Sequence, residues 1–168
     1  MKTGRLHSGL LARGGSRIGG LLTQQIARDT WSHAGLRIYG ETVVPEKIGA
    51  ALGLQATRTH VKGELRRNGK NRWSNSLWFL ESPLGKGEGL SDHLGWLPDQ
   101  LEPKIPVLNA LSQTHRVDLF CGFSSASGQG GFVLDASTLA RLSRLGVPLV
   151  LDLYPPAAED GMEEGGDP

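Results

Sequence analysis

Charge is gathered at the two ends of this chain, and that distribution limits which part of it can fold. From residue 1 to residue 30 the bases Lys2, Arg5, Arg13, Arg17 and Arg28 face Asp29 alone, and Gly14-Gly15 and Gly19-Gly20 interrupt every short apolar group. A stretch so broken lacks the apolar surface to offset its own ordering entropy. Residues 155–168 are the reverse, with Glu159, Asp160, Glu163, Glu164 and Asp167 set among Pro, Gly and Ala. That is the composition of a disordered acidic tail. Between them, residues 31–154 carry 13 bases and 11 acids and have the length of an ordinary single domain. The expected organisation is therefore a basic flexible extension at 1–30, one domain at 31–154 and an acidic disordered tail at 155–168.

The two ends, +4 and −5, nearly cancel, and with the +2 of residues 31–154 they leave a formal net charge of +1. It excludes a whole-protein field that would recruit nucleic acid or an anionic membrane, so nucleic acid is not an expected partner. No run approaches the ~18 consecutive apolar residues of a membrane helix, so no membrane partner is expected either. Cys121 is the single cysteine, which rules out a disulfide framework or a multi-cysteine metal centre within one chain. A reducing, cytoplasmic setting fits best. The basic arm has a composition that suits an organellar transit peptide, a misassigned start or a plain extension alike.

Inside 31–154, alternation and helical spacing define the elements. Residues 34–39 read as a strand, with Leu36 and Ile38 on one face and Arg37 and Tyr39 on the other. Pro45 suits a first helical turn, and Val44, Ile48, Ala51 and Leu52 form a stripe that stops at Gly53. Residues 56–65 alternate with mixed polarity, residues 65–76 form a basic loop turned by Asn68-Gly69, and residues 77–81 are a strand. Leu90, Leu94, Leu97 and Leu101 recur at helical spacing, while Pro98, Pro103 and Pro106 divide the region into two short helices. Residues 117–123 and 131–134 read as strands joined by a Ser/Gly hairpin loop at 124–130. Asp135 or Ser137 caps a helix with the stripe Leu139, Leu142 and Leu145, and residues 149–154 form the last strand. The order predicts an α+β fold, a mainly antiparallel sheet with helices on one face, as in a ferredoxin-like sandwich.

Two segments carry possible chemistry. In Thr57-Arg58-Thr59-His60-Val61-Lys62-Gly63-Glu64, extended backbone would send Arg58, His60 and Lys62 to one side. An arginine fork beside a lysine and a protonatable imidazole suits oxyanions, although a charged edge strand also serves to keep sheets from pairing. The second segment runs from Ser124 through Ser127 and Gly128 to Gly131, where hydroxyls and glycines could turn backbone N–H groups toward an anion or simply form a flexible hairpin. Trp78 is a candidate wall for such a ligand, with core packing as its other role. Cys121 and Asp118 fall on opposite strand faces, which leaves the thiol without a base. His33, His93 and His115 lack the spacing of a metal site, and neither metal nor cofactor is expected.

Taken together, Thr57-Arg58-Thr59-His60-x-Lys62-Gly63-Glu64, Trp78-Phe79-Leu80-Glu81-Ser82, Leu90-Ser91-Asp92-His93-Leu94, Val117-Asp118-Leu119-Phe120-Cys121-Gly122-Phe123, Gly128-Gln129-Gly130-Gly131-Phe132 and Leu145-Gly146-Val147-Pro148-Leu149 resemble the bacterial domain-of-unknown-function family 4279. The resemblance covers about residues 34–154 and implies a small bacterial cytosolic α+β protein with no assigned activity, which argues against a transit peptide. Small bacterial domains of this kind include toxin-neutralising immunity proteins, an analogy of size and class only. The expected function is a noncatalytic binding module in which Arg58, His60, Lys62, Trp78, Ser124, Ser127 and Gly128 hold an anionic small molecule or an acidic protein surface. The alternative is a small enzyme acting on a phosphorylated or carboxylated metabolite, with His60 as general acid/base. A third possibility, single-stranded nucleic acid, would use the bases at 66–72 with Trp73.

Overall fold

Strict alternation makes the first strand the centre of the molecule. The computed structural model describes residues 30–154, so the expectations for the basic extension and the acidic tail fall outside the described residues. In β1 (Thr30–Gly40), Ala34, Leu36 and Ile38 are wholly buried on one face, while Arg37 and Tyr39 take the other. A central strand with a helix packed over one face buries that row completely. β1 lies antiparallel between β3 (Ser76–Glu81) and β4 (Arg116–Ser125), with Leu36 opposite Leu80 on one side and Leu119 on the other. The short β2 (Arg58–His60) pairs with the outer edge of β3, and β5 (Leu149–Tyr154) runs parallel to β4. The sheet order is β2-β3-β1-β4-β5.

The helices lie against one face. α1 (Pro45–Leu52) begins with proline in its first turn and packs on β3 through Ile48 and Leu52. α2 (Leu90–Leu101) covers β1 with Leu90, Leu94, Leu97 and Leu101, all essentially inaccessible. Two of the three prolines divide this region: Pro103 lies in a single 3-10 turn at Glu102–Lys104 that separates α2 from α3 (Ile105–Ser112), which has Pro106 in its first turn and packs on β4, whereas Pro98 lies inside α2 without ending it. α4 (Ala136–Arg144) is capped by Asp135, whose carboxylate accepts the Thr138 N–H at 2.9 Å. It packs on α2 through Leu142 and Leu145, with Arg141 and Arg144 clamping Glu102 and Arg141 also reaching Asp99. Each buried leucine contributes roughly 1.5–3 kcal/mol. Among the described residues no helix is long and apolar enough to cross a membrane.

The α+β class, the mainly antiparallel sheet and the one-sided helices match the expectation, while the strand order refines the ferredoxin-like comparison. In that sandwich a βαβ unit is split by an intervening strand. Here α4 joins direct neighbours, with Phe120 of β4 opposite Val150 of β5. The cause lies at 131–134, expected as a strand and found without regular structure. Phe132 turns inward onto Phe123, with ring centroids 5.9 Å apart, and the Val133 carbonyl accepts the Ser91 hydroxyl at 2.7 Å. The free edge of β4 is therefore taken by β5. Leu139 is the other departure, half exposed where the stripe predicts burial.

Candidate functional site

The face of the sheet opposite the helices is open, and strand parity decides what stands on it. The register aligns Arg58 of β2, Phe79 of β3, Arg37 of β1 and Asp118 of β4 in one row across the sheet. The adjacent row is His60, Leu77, Tyr39 and Arg116. Toward the other end come Glu81, Phe120, His33, Trp31 and, from β5, Asp152 and Tyr154. A strand face usually left to scattered polar groups is here built of rings and cations.

Two glycines let the rings lie down on the sheet. A Cβ on Gly35 would stand 2.5 Å from the Leu80 carbonyl oxygen and 2.7 Å from Phe79 Cζ, so the Phe79 ring occupies the space that a side chain would fill. A Cβ on Gly122 would run into the His33 imidazole in the same way. The flattened rings then receive cations from above. Arg58 lies over Phe79 at 4.8 Å, Arg66 over Trp73 at 4.4 Å, and Arg37 over Phe120 at 4.2 Å and Tyr39 at 4.7 Å. Arg116 over Tyr39 and Lys86 over Trp31 complete the set, so every cation–π contact among the described residues is on this one face. Such contacts are each worth about 0.5–1 kcal/mol at exposed sites and more where desolvated.

The cations differ in what else they hold. Arg37 makes a bidentate pair with the buried Asp118 carboxylate, both bonds at 2.9 Å, so its charge is satisfied within the fold. Arg58 and Arg66 have no carboxylate partner among the described residues. Both line a cavity of about 740 Å³ whose floor includes Tyr39, Phe79 and Phe120 and whose far wall is Asp152 and Tyr154. The neighbouring Asp152 carboxylate pushes the pKa of the Tyr154 hydroxyl up.

A hairpin closes the near end. Arg66 N donates to Asn71 O at 2.7 Å, Trp73 N to Glu64 O at 2.9 Å and Gly63 N to Trp73 O at 2.8 Å, around the Asn68-Gly69 turn expected from sequence. Asn68 Oδ1 accepts the N–H groups of Lys70 and Asn71 and fixes that turn. Its closure returns Trp73 to His60, the two rings stacked with centroids 3.7 Å apart and planes within 10°. Burial lowers the His60 pKa, and Arg58 and Arg66 push it the same way against the opposing pull of Glu64. The imidazole is neutral at pH 7 and has no ion pair with a carboxylate among the described residues.

Of the residues expected in the site, the structure brings Arg58 and His60 together and separates the rest. Lys62 lies beyond the end of β2, where the backbone leaves the strand and parity no longer applies; its Nζ donates to Glu41 at 2.6 Å at the surface. Ser124 faces the open side but pairs with Trp31, six residues along β1 from the Arg37 row and so about 20 Å away. Ser127 and Gly128 belong to a loop that satisfies itself: the Gly128 N–H donates to Ser125 O, and the Ser125 and Ser127 hydroxyls both donate to Gln129 O. Trp78 is buried on the helix side, opposite Thr59, where it lines a separate groove of about 560 Å³ beside α1. The indole at the cavity is Trp73. Arg37, Phe79, Phe120 and Asp152 were missed, although the parity of Leu36 and Ile38 had already assigned Arg37 and Tyr39 to the second face.

Other reactive groups have structural uses. His33 Nδ1 lies 2.9 Å from Glu81 Oε1, and the buried His93 shares a 2.8 Å hydrogen bond with Ser82 that ties α2 to the end of β3. No three His, Cys, Asp or Glu side chains among the described residues are grouped to hold a metal ion. Cys121 is buried on the helix side, and desolvation, helped by Asp118, pushes its thiol up to about 12. The folded protein is therefore expected to resist iodoacetamide at pH 8, whereas the denatured chain reacts as a free thiol of pKa about 8.5. Mass spectrometry of the two samples checks this; rapid labelling of the native protein would show an accessible thiolate.

Residues 27–156 match the model of the family described as Domain of unknown function (DUF4279). No curated protein and no solved structure matches the chain. The match spans most of the sequence and takes in every described strand and helix, and on that extent the chain belongs to the DUF4279 family.

Proposed function

We propose that this domain is a noncatalytic binding module that holds an anionic ligand on the helix-free face of its sheet. The observation that carries the reading is the pair Arg58 and Arg66, two guanidiniums stacked on rings at the mouth of one cavity with no carboxylate partner among the described residues. A guanidinium laid on an aromatic ring keeps its N–H edges free and its position fixed, so less entropy is lost when an oxyanion is gripped. The cavity, at about 740 Å³, has the size of a small-molecule site, which favours a small anion over a flat acidic protein surface. The enzyme alternative would use His60 as a general base, most effectively beside a carboxylate that stabilises the imidazolium as it forms. His60 instead has a ring stack, which supports a binding role.

Sulfate, whose charge is constant across the working range, is the direct probe. Titrated against the protein by NMR, it is expected to shift the His60 and Trp73 ring signals, and Arg58→Ala or Arg66→Ala should each weaken it by roughly 1–3 kcal/mol. Lys62→Ala, already engaged with Glu41, serves as the charge-matched control and should change little. The pH dependence follows from the lowered His60 pKa. An anion beside the ring raises that pKa in the complex, so the bound state takes up a proton at a higher pH than the free state, and affinity rises as pH falls from 8 to 5.5. Equal affinity at both values, or wild-type affinity in the Arg58→Ala/Arg66→Ala double variant, would sink the proposed site.

A further inference from the structure

We infer that the anion held on this face is a nucleotide, a planar base joined to a phosphate, bound with its phosphate at Arg58 and Arg66 and its donor groups toward Asp152. The inference rests on the anion-binding reading and adds the chemical class of the ligand. Three features of the cavity select that class together. At one end the guanidinium edges of Arg58 and Arg66 suit phosphate oxygens. Between the ends, flat surfaces dominate: the guanidinium groups of Arg58 and Arg66 over Phe79 and Trp73, and beside them that of Arg37 over the Tyr39 and Phe120 rings. Bases stack on aromatic rings and on arginine planes alike. At the other end stands Asp152, beside Tyr154 and lining the same cavity.

Asp152 does the discriminating. A carboxylate opposite the two arginines repels a second negative charge and accepts N–H or O–H groups, which an exocyclic amine or a ribose hydroxyl supplies. A bare inorganic anion gains nothing from the rings and meets that repulsion. A neutral nucleoside leaves the two arginines unused, and an acyl chain finds charged planes where it needs apolar walls. A nucleotide engages all three parts, and the cavity volume of about 740 Å³ accommodates one.

The same base-plus-phosphate chemistry is offered by a free mononucleotide and by single-stranded RNA, and the test separates them. Isothermal titration of the full chain with AMP, GMP, CMP and UMP, with adenosine, with sulfate and with a ten-nucleotide single-stranded RNA is the experiment. At least one mononucleotide is expected to bind ten-fold or more tightly than either adenosine or sulfate. Arg66→Lys should cost that nucleotide about ten-fold and sulfate about three-fold or less, since the charge remains while the guanidinium plane over Trp73, on which the base stacks, is lost. Asp152→Asn should narrow the preference for nucleotide over sulfate, with thermal unfolding used to verify that each variant is folded. An RNA that binds at least ten-fold more tightly than its mononucleotides, with a steep salt dependence, identifies the strand as the source and keeps the chemistry. A nucleotide no tighter than sulfate, with sulfate still lost in the Arg58→Ala/Arg66→Ala variant, overturns the nucleotide and leaves the anion site standing. Binding of neither overturns both.

Discussion

Trp78→Ala is expected to remove about 3–5 kcal/mol of stability, a large part of what a domain of this size has, while Trp73→Ala removes less than about 1 kcal/mol. The two indoles are five residues apart and lie on opposite sides of the sheet. Trp78 is 1% exposed and sits under α1, opposite Thr59 on one side and Ile38 on the other, with its Nε1 close to Gly49. Truncating it leaves a cavity bounded by strand backbone and a helix, neither of which can close on it. Trp73 is only partly buried, at the end of a hairpin, and touches Arg66 and His60. Its loss takes the ring from beneath two ligand-facing side chains and little from the core. Urea unfolding of the two variants, read beside sulfate titration, checks the division. Similar losses of stability in both would mean that the hairpin is part of the core.

Gly35→Ala carries the second large effect, about 1–3 kcal/mol or more, and it acts on fold and site together. The added methyl would meet the Leu80 carbonyl oxygen at 2.5 Å, the Glu81 Cα at 2.9 Å and the Phe79 ring at 2.7 Å. Two of the three obstacles are backbone of a paired strand, so relief requires β1 and β3 to separate where Gly35 opposes Glu81. The ring can move only by lifting off the sheet, which also displaces Arg58 from above it. The matching change Gly122→Ala should cost less, because its obstacles are the side chains of His33 and Trp31. Thermal unfolding of the two variants gives the comparison, and Gly35→Ala proving the milder of the two would contradict this account of the open face.

The close approach at Gly35 shows where reading the sequence stops. Glycine in a strand announces that something lies near it, but not what. The obstacle, Phe79, is 44 residues away, and only the register of β1 against β3 brings it there. The Arg37–Asp118 pair is of the same kind: both side chains were assignable to a face by alternation, and 81 residues separate them. Lys62 marks the opposite failure. Lys62 lies two residues past the end of β2, and each residue outside a strand loses the constraint that parity expresses. The segment 131–134 reads as a strand because it is apolar, yet it opens with Gly131 directly after Gly128 and Gly130, and it docks by Phe132 without pairing.

By itself, then, the sequence determined which segments form helices and strands over most of residues 30–154, where α1 and α4 begin, how the prolines segment α2 from α3, and which face of each strand is apolar. Those are consequences of spacing and capping, which act within a few residues and depend on no distant partner. Tertiary structure alone decided that β5 pairs with the edge of β4, that all the ring-stacked cations collect on one face, and that Trp73 rather than Trp78 stands at the cavity beside His60. Alternation says that a strand has an apolar side, not which neighbour will share it. That choice is made by burial summed over the whole sheet, where contacts dozens of residues apart compete and a slip of one residue would turn every side chain to the wrong face.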